Sequence, residues 1–303
     1  MQTVLCRFER SILFYPMYLL LRLLLYPLSW LPLGVLYVVS DGARALLFGV
    51  LKYRNAIVQA NLTQAFPEKS LPEIQQIHRA FEKAFCDQWI ETIKLLSISQ
   101  QKLHRRMPGN WELLQQLGEA GQDVYVLMGH QFNWEWTFVA TQWAIPQRSV
   151  GFYLPVSNRA FDQLMQRIRS RGGGQLVSLK NLRAGLAAFK NQRFVAGLIA
   201  DQNPSQPDTA LWLPFMHREA PFFRGPEALA RKGHAAVVFA EVIRHRRGQY
   251  EVRLTLQEAD AAATPPEAIT RRYVEHLEAC LHRQPANYLW SHRRWKHQRK
   301  PGP

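Results

Sequence analysis

Between residues 124 and 257 the sequence alternates short apolar runs with helical patterns, and that alternation restricts the fold more than any other feature. VYVLM (124–128), SVGFYLP (149–155), LVSL (176–179) and FVAGLIA (194–200) are wholly or largely apolar and have the length of strands buried on both faces. AAVVFAEVIR (235–244) and YEVRLTLQ (250–257) read as a further pair of strands, the second alternating Val252, Leu254 and Leu256. The stretch 158–174 reads as a helix capped by Asn158 and ended by glycines; further helices are expected over 137–144, 181–191 and 266–283. Residues 221–233 read as a loop entering a helix. Upstream, 41–66 is expected to be helical, and 110–120 forms a short helix ending at Gly121. Pro72 opens an amphipathic helix over 72–96, with Ile74, Ile77, Phe81, Phe85 and Ile93 at helical spacing. The expected class is α/β, a central mixed sheet flanked by helices.

Before this region lies an apolar stretch at 11–39, interrupted by Arg22 and by Pro16, Pro27 and Pro32. It is long enough to cross a bilayer, and a central charge costs about 2.5–3.5 kcal/mol, which some twenty apolar neighbours outweigh. One spanning helix and an interfacial hairpin broken at the prolines are both compatible with it; a buried pair of core helices is the alternative. Arg44, Lys52 and Arg54 behind it suit the cytoplasmic side of a membrane. The expected division is an N-terminal anchoring segment (1–40), a catalytic domain (41–291) and a basic tail (292–303).

The formal charge of +15 admits nucleic acid, anionic headgroups or an acidic protein as partners. Cys6, Cys86 and Cys280 match no metal or redox spacing and read as reduced thiols.

The sharpest local motif is Gly129-His130-Gln131-Phe132-Asn133-Trp134-Glu135, directly after the first expected strand. Open α/β sheets place their sites at that end of a strand. On one continuous helix, five residues would set His130 and Glu135 ~140° apart. The two meet only if His130 lies on the loop and Glu135 in the first turn of the next helix. A neutral imidazole is the usual base for a hydroxyl attacking a carbonyl, and a carboxylate on its other nitrogen fixes the tautomer. A structural histidine is the competing reading. HxxxxE is not a zinc motif, and no metal or organic cofactor is expected.

Several blocks, in order and spacing, resemble the late lipid A acyltransferases, the lauroyl/myristoyl transferase branch of the lysophospholipid and glycerolipid acyltransferase superfamily. They are NLTQAFPEKS (61–70), FEKAFCDQWIETIKL (81–95), the His130–Glu135 block and FYLPVSNRAFDQLMQRIRSRGG (152–173). LIADQNPS (198–205), LPFMHREAPFFRGPEALARKG (213–233) and YLWSHRRWK (288–296) complete the series. The resemblance implies a glycerolipid acyltransferase-like fold at the cytoplasmic face of the bacterial inner membrane. It implies an acyl carrier protein thioester as donor, a glycolipid hydroxyl as acceptor, and His130 as general base with Glu135 as its partner. It also implies substrate-binding roles in the segment from Asn158 to Arg167 or Arg169, and at Asp201.

Phe222-Phe223-Arg224-Gly225-Pro226 keeps part of the superfamily's phosphate block but lacks its terminal arginine and serine, which disfavours a simple glycerol phosphate acceptor. Arg224 and Gly225 read either as part of the acceptor pocket or as a loop-to-helix junction. Arg167, Arg169 and Arg171 read as an acceptor-phosphate site or a solvated basic face, and Asp201 as a functional group or a turn cap. Trp290, Arg293, Arg294, Trp295 and Lys296 suit anionic lipid, an acidic carrier or single-stranded nucleic acid, or a solvated tail. The competing functions are another acyltransferase of the superfamily acting on a different lipid, an inactive relative, and a nucleic-acid binder. The last leaves 11–39 and the His130 block unexplained, so no nucleic acid is expected.

Overall fold

A computed structural model describes residues 14–189 and 192–299. The apolar N-terminal stretch is two helices, α1 (Phe14–Trp30) and α2 (Leu33–Arg44), the second running on into a π-helical turn over Ala45–Val50. The break falls at Leu31-Pro32, where Pro32 caps α2, whereas Pro27 is carried inside α1. Residues 11–13 of the expected segment lie outside the described residues, as does Cys6. Leu20, Leu23 and Leu24 recur at helical spacing on one exposed face of α1, while Ser29 is buried and Tyr18, Arg22 and Tyr26 are half-buried on the face toward the rest of the chain. Val35, Val38, Leu46, Val50 and Leu51 extend the exposed apolar surface. Among the described residues, Leu33–Val50 is the run long and apolar enough to cross a membrane.

The helical reading of 41–66 is interrupted by the π-helical turn and by left-handed backbone at Lys52 and Arg54, before α3 (Asn55–Ala65). Helix α4 (Leu71–Lys94) starts where Ser70 N–H donates to Glu73 Oε2 at 2.8 Å. Two short helices follow, α5 (Gln100–Arg106) and α6 (Glu112–Glu119). The α/β part then runs β1 (Val124–Met128), α7 (Trp134–Ala144), β2 (Arg148–Tyr153), α8 (Arg159–Arg169), β3 (Gln175–Ser178), α9 (Leu182–Ala187) and β4 (Phe194–Ile199). A hairpin of β5 (Leu211–Phe215) and β6 (Arg218–Phe222) precedes α10 (Gly225–Lys232), β7 (Ala236–Arg246), β8 (Gln249–Glu258) and α11 (Ala268–Arg283).

Six strands form one mixed sheet in the order β3-β2-β4-β1-β7-β8, parallel except for the β7–β8 pair. Strand β1 is buried throughout and lies between β4 and β7, as its unbroken apolar sequence requires. The β1–β4 register sets Met128 against Ile199, so both strands deliver their next residues to the same edge. One apolar core contains Phe81, Tyr125, Phe239 and Leu277; the other contains Leu36, Val126, Trp136 and Val238. Cys86 and Cys280 are free and buried, and burial pushes both thiols up to about 12.

The start of the expected basic tail packs against the domain. Arg294 is 1% exposed and packs over Phe222, 4.3 Å from its ring centre. It donates to Asn203 Oδ1 (2.8 Å) and to the Pro221 carbonyl (2.9 Å). Trp290 is buried as well, so these two side chains are structural and are not offered to a headgroup or nucleic acid. The last residues, 300–303, lie outside the described residues.

Candidate active site

The site is built at the carboxyl ends of β1 and β4. Each strand's second residue past the paired Met128 and Ile199 is polar: His130 on one, Asp201 on the other. The His130 ring nitrogen Nδ1 lies 2.6 Å from Asp201 Oδ1, and the His130 backbone N–H donates to Oδ2 at 2.9 Å. Gly129 makes the turn between strand and imidazole; a Cβ there would come within 2.6 Å of the Leu277 side chain on α11.

Asp201 is buried and the imidazole is 17% exposed, so the pair has a sealed end and an open end. Burial acts to raise the Asp201 carboxyl. The His130 charge, the two hydrogen bonds from His130 and one from Tyr288 outweigh it and hold the group below the ordinary carboxylate range. Tyr273 donates to the Met128 carbonyl at 2.8 Å, which braces the last residue of β1. The outer nitrogen, Nε2, faces the Gln202 amide nitrogen at 3.2 Å. With Nδ1–H donating to Asp201, Nε2 carries the lone pair and accepts from Gln202.

Glu135 was expected on the imidazole. The structure corrects this: the carboxylate on Nδ1 is that of Asp201, and Glu135 is held by Arg169. Nε of Arg169 donates to Oε2 at 2.9 Å and Nη2 to Oε1 at 2.6 Å, a two-pronged pairing across from α8 to the first turn of α7. Trp134 touches both parts of the motif. Its ring packs edge-on against His130, centroids 5.1 Å apart, and its indole N–H donates to Glu135 Oε1 at 3.1 Å. The physical reason is topological: β4 is the hydrogen-bonded neighbour of β1, and its end lies beside that of β1.

The loop is fixed from beneath by a residue the sequence did not single out. Asn133 caps α7, its Oδ1 accepting from Trp136 N–H at 3.0 Å, and its amide donates to Glu91 Oε2 at 2.8 Å. Glu91, buried in α4, also accepts from Tyr250 (2.7 Å) and Tyr37 (2.8 Å), and its main-chain carbonyl accepts from the Trp136 indole at 2.7 Å. Burial raises its carboxyl in spite of these donors. A polar centre thus ties the loop that carries His130 to α2, α4 and β8.

Of the other sequence candidates, Asn158 caps α8, its Oδ1 accepting from Phe161 N–H at 3.0 Å. Arg167 stands over the Tyr26 ring of α1, 5.9 Å from its centre. Arg171 reaches the Leu95 carbonyl and the Trp143 ring. Arg224 pairs with Glu267 at 2.5 Å on the surface, and Gly225 opens α10. Asn203, two residues past Asp201, is gripped by the C-terminal segment: its N–H donates to His292 Nε2 at 3.3 Å and its amide to the Arg293 carbonyl at 2.8 Å. His292 must be neutral to accept. Burial, with the charges of Arg294, His130 and Arg54, lowers it to about 4 against the opposing pull of Asp201.

A strand-end imidazole backed by a buried carboxylate, in an α/β fold, is an arrangement that can take a proton from an incoming group. Comparison with known sequences makes the class specific: the chain belongs to the bacterial lipid A biosynthesis acyltransferases, whose family model matches residues 6–297. It is also similar to the lipid A biosynthesis lauroyltransferase of Escherichia coli (strain K12), 24% identical over 89% of this chain and 92% of that one. The protein is therefore an acyltransferase.

Proposed function

We propose that the protein transfers a fatty acyl chain from an acyl carrier protein thioester to a hydroxyl of a lipid A precursor, with His130 as general base. The observation that carries this reading is the imidazole, 2.6 Å from buried Asp201 and itself partly exposed. Nε2 takes the proton of the acceptor hydroxyl as its oxygen attacks the thioester carbonyl. The carbon–oxygen bond forms, the carbon–sulfur bond breaks, and the imidazolium returns the proton to the departing thiolate. Asp201 holds the tautomer and stabilises the imidazolium. The Gln202 amide marks the position of the acceptor oxygen and turns aside when the hydroxyl arrives.

Glu135 and Arg169 form the adjoining wall. Their pairing orients Trp134 against the imidazole and leaves one arginine terminal nitrogen for the acceptor or the developing oxyanion. The His130 backbone N–H, an obvious oxyanion donor, is already taken by Asp201. This chemistry requires no metal or organic cofactor.

The exposed apolar faces of α1 and α2 are read as the membrane anchor, seated in the cytoplasmic leaflet of the inner membrane. The charge of +15 suits both an anionic leaflet and an acidic carrier. Mass spectrometry of lipids from cells with and without the protein tests the reading. One added acyl chain on a lipid A precursor is expected; an unchanged lipid A profile, or a gain confined to glycerophospholipids, contradicts it.

A further inference from the structure

Arg22 occupies the middle of α1, the least comfortable place for a charge in a helix meant for a membrane surface. It does not face the exposed leucines. Tyr18, Arg22 and Tyr26 follow one another at helical spacing on the face that packs toward α8. The Arg22 guanidinium lies 5.4 Å from the Tyr26 ring centre and 5.8 Å from that of Tyr18. Arg167, on α8, approaches the same Tyr26 ring at 5.9 Å. Two guanidinium groups from different elements thus converge on one aromatic ring. Among the described residues neither forms an ion pair with a carboxylate, whereas Arg169, on the same helix, is paired with Glu135.

Two like charges gathered at one ring, Arg22 half-buried and Arg167 exposed, repel, and an anion that reaches both relieves the repulsion. A guanidinium fork matches the oxygens of a phosphate, and two forks match a doubly charged phosphate monoester better than a singly charged diester. Helix α8 carries Arg167 toward the anchor and Arg169 toward Glu135. Arg167 and the Glu135–Arg169 wall beside the imidazole are therefore separated by about one helix width, ~10–12 Å. That is the scale of a sugar headgroup, with its anionic group at one end and its reacting hydroxyl at the other.

We infer that Arg22 and Arg167 together bind a phosphate monoester on the headgroup of the acceptor lipid, at the seam between the anchor and the catalytic domain. The inference rests on the acyltransferase reading and adds to it the group by which the acceptor is held.

The full-length protein is tested in two arms. In the first, flotation with phosphatidylcholine vesicles containing phosphatidic acid, a monoester, is compared with vesicles containing phosphatidylglycerol, a diester. Arg22→Gln and Arg167→Gln are each expected to weaken binding to the monoester vesicles about tenfold. Arg148→Gln, an exposed arginine at the opposite end of the sheet, leaves it unchanged. Equal losses on both vesicle types, or no loss, overturn the site. In the second arm, acceptor KM is measured for the phosphorylated glycolipid and for the same lipid after phosphatase treatment. Wild type is expected to favour the phosphorylated form, and either substitution to abolish that preference. A preference that survives both substitutions means that the cations hold bulk lipid, and it overturns acceptor binding. If no glycolipid is acylated at all, the functional reading fails, while the vesicle arm still decides whether the site exists.

Discussion

Nδ1 of His130 lies 2.6 Å from Oδ1 of Asp201, whose other oxygen accepts the backbone N–H of the same histidine at 2.9 Å. One carboxylate therefore fixes both the ring and the chain that carries it. Asp201→Asn keeps the shape but can offer its NH2 to Nδ1, which favours the wrong tautomer. The expected result is a fall in kcat of ~10²–10⁴ with a nearly unchanged acceptor KM. Steady-state kinetics on the purified variant check it; a loss confined to KM argues against the orienting role.

Glu135 and Arg169 act as a unit, so their substitutions should not add. Glu135→Gln and Arg169→Gln are each expected to lower kcat/KM by about 10–100-fold, and the double variant by little more than either. Arg169→Lys should recover little, because a single ammonium cannot reproduce the two-pronged contact. A double-mutant cycle measures this; full additivity would mean that the two residues work separately.

His292 makes part of the stability dependent on pH. Its folded value, about 4, lies below the ordinary histidine value of 6.5, so the unfolded chain takes up the proton first. The stabilisation is whole above pH 6.5 and is lost progressively as the pH falls to about 4. Thermal melts should show a shallower decline of Tm over that window for His292→Gln than for wild type. Parallel declines would show that His292 is not buried in its neutral form.

On the proposed reading the exposed leucines of α1 serve a membrane anchor and not the core. Replacing Leu20, Leu23 and Leu24 with Gln removes an apolar stripe worth about 1.5–3 kcal/mol per side chain when buried in lipid. The variant is expected to move from the membrane fraction to the soluble fraction with an unchanged melting temperature in detergent. Retention on membranes would point to another anchor.

Much of the frame was legible in the sequence. Strand β1 came out residue for residue because its apolar run ends at a glycine and is buried on every side. The β5–β6 hairpin has no counterpart among the expected elements, and Pro214 and Pro221 lie inside it. A two-stranded sheet tolerates them, since each strand has a free edge and need not supply every N–H. His130, Asp201 and Arg169 were all picked out as residues, but their pairing was not. Local spacing brings Glu135 near His130, whereas the true neighbour depends on strand order, which no single-strand pattern encodes. Glu91, Tyr250 and Tyr288 lie far along the chain from the loop they support, in segments that look like ordinary helix, strand and turn.

The claim that the open imidazole nitrogen takes the acceptor's proton is tested most directly by acyl transfer from a labelled carrier thioester to a lipid A precursor, with wild type and His130→Ala compared in detergent. Wild-type melting behaviour with transfer reduced by at least ~10²–10⁴-fold is the predicted result. A correctly folded His130→Ala protein that still acylates the precursor near the wild-type rate would contradict it.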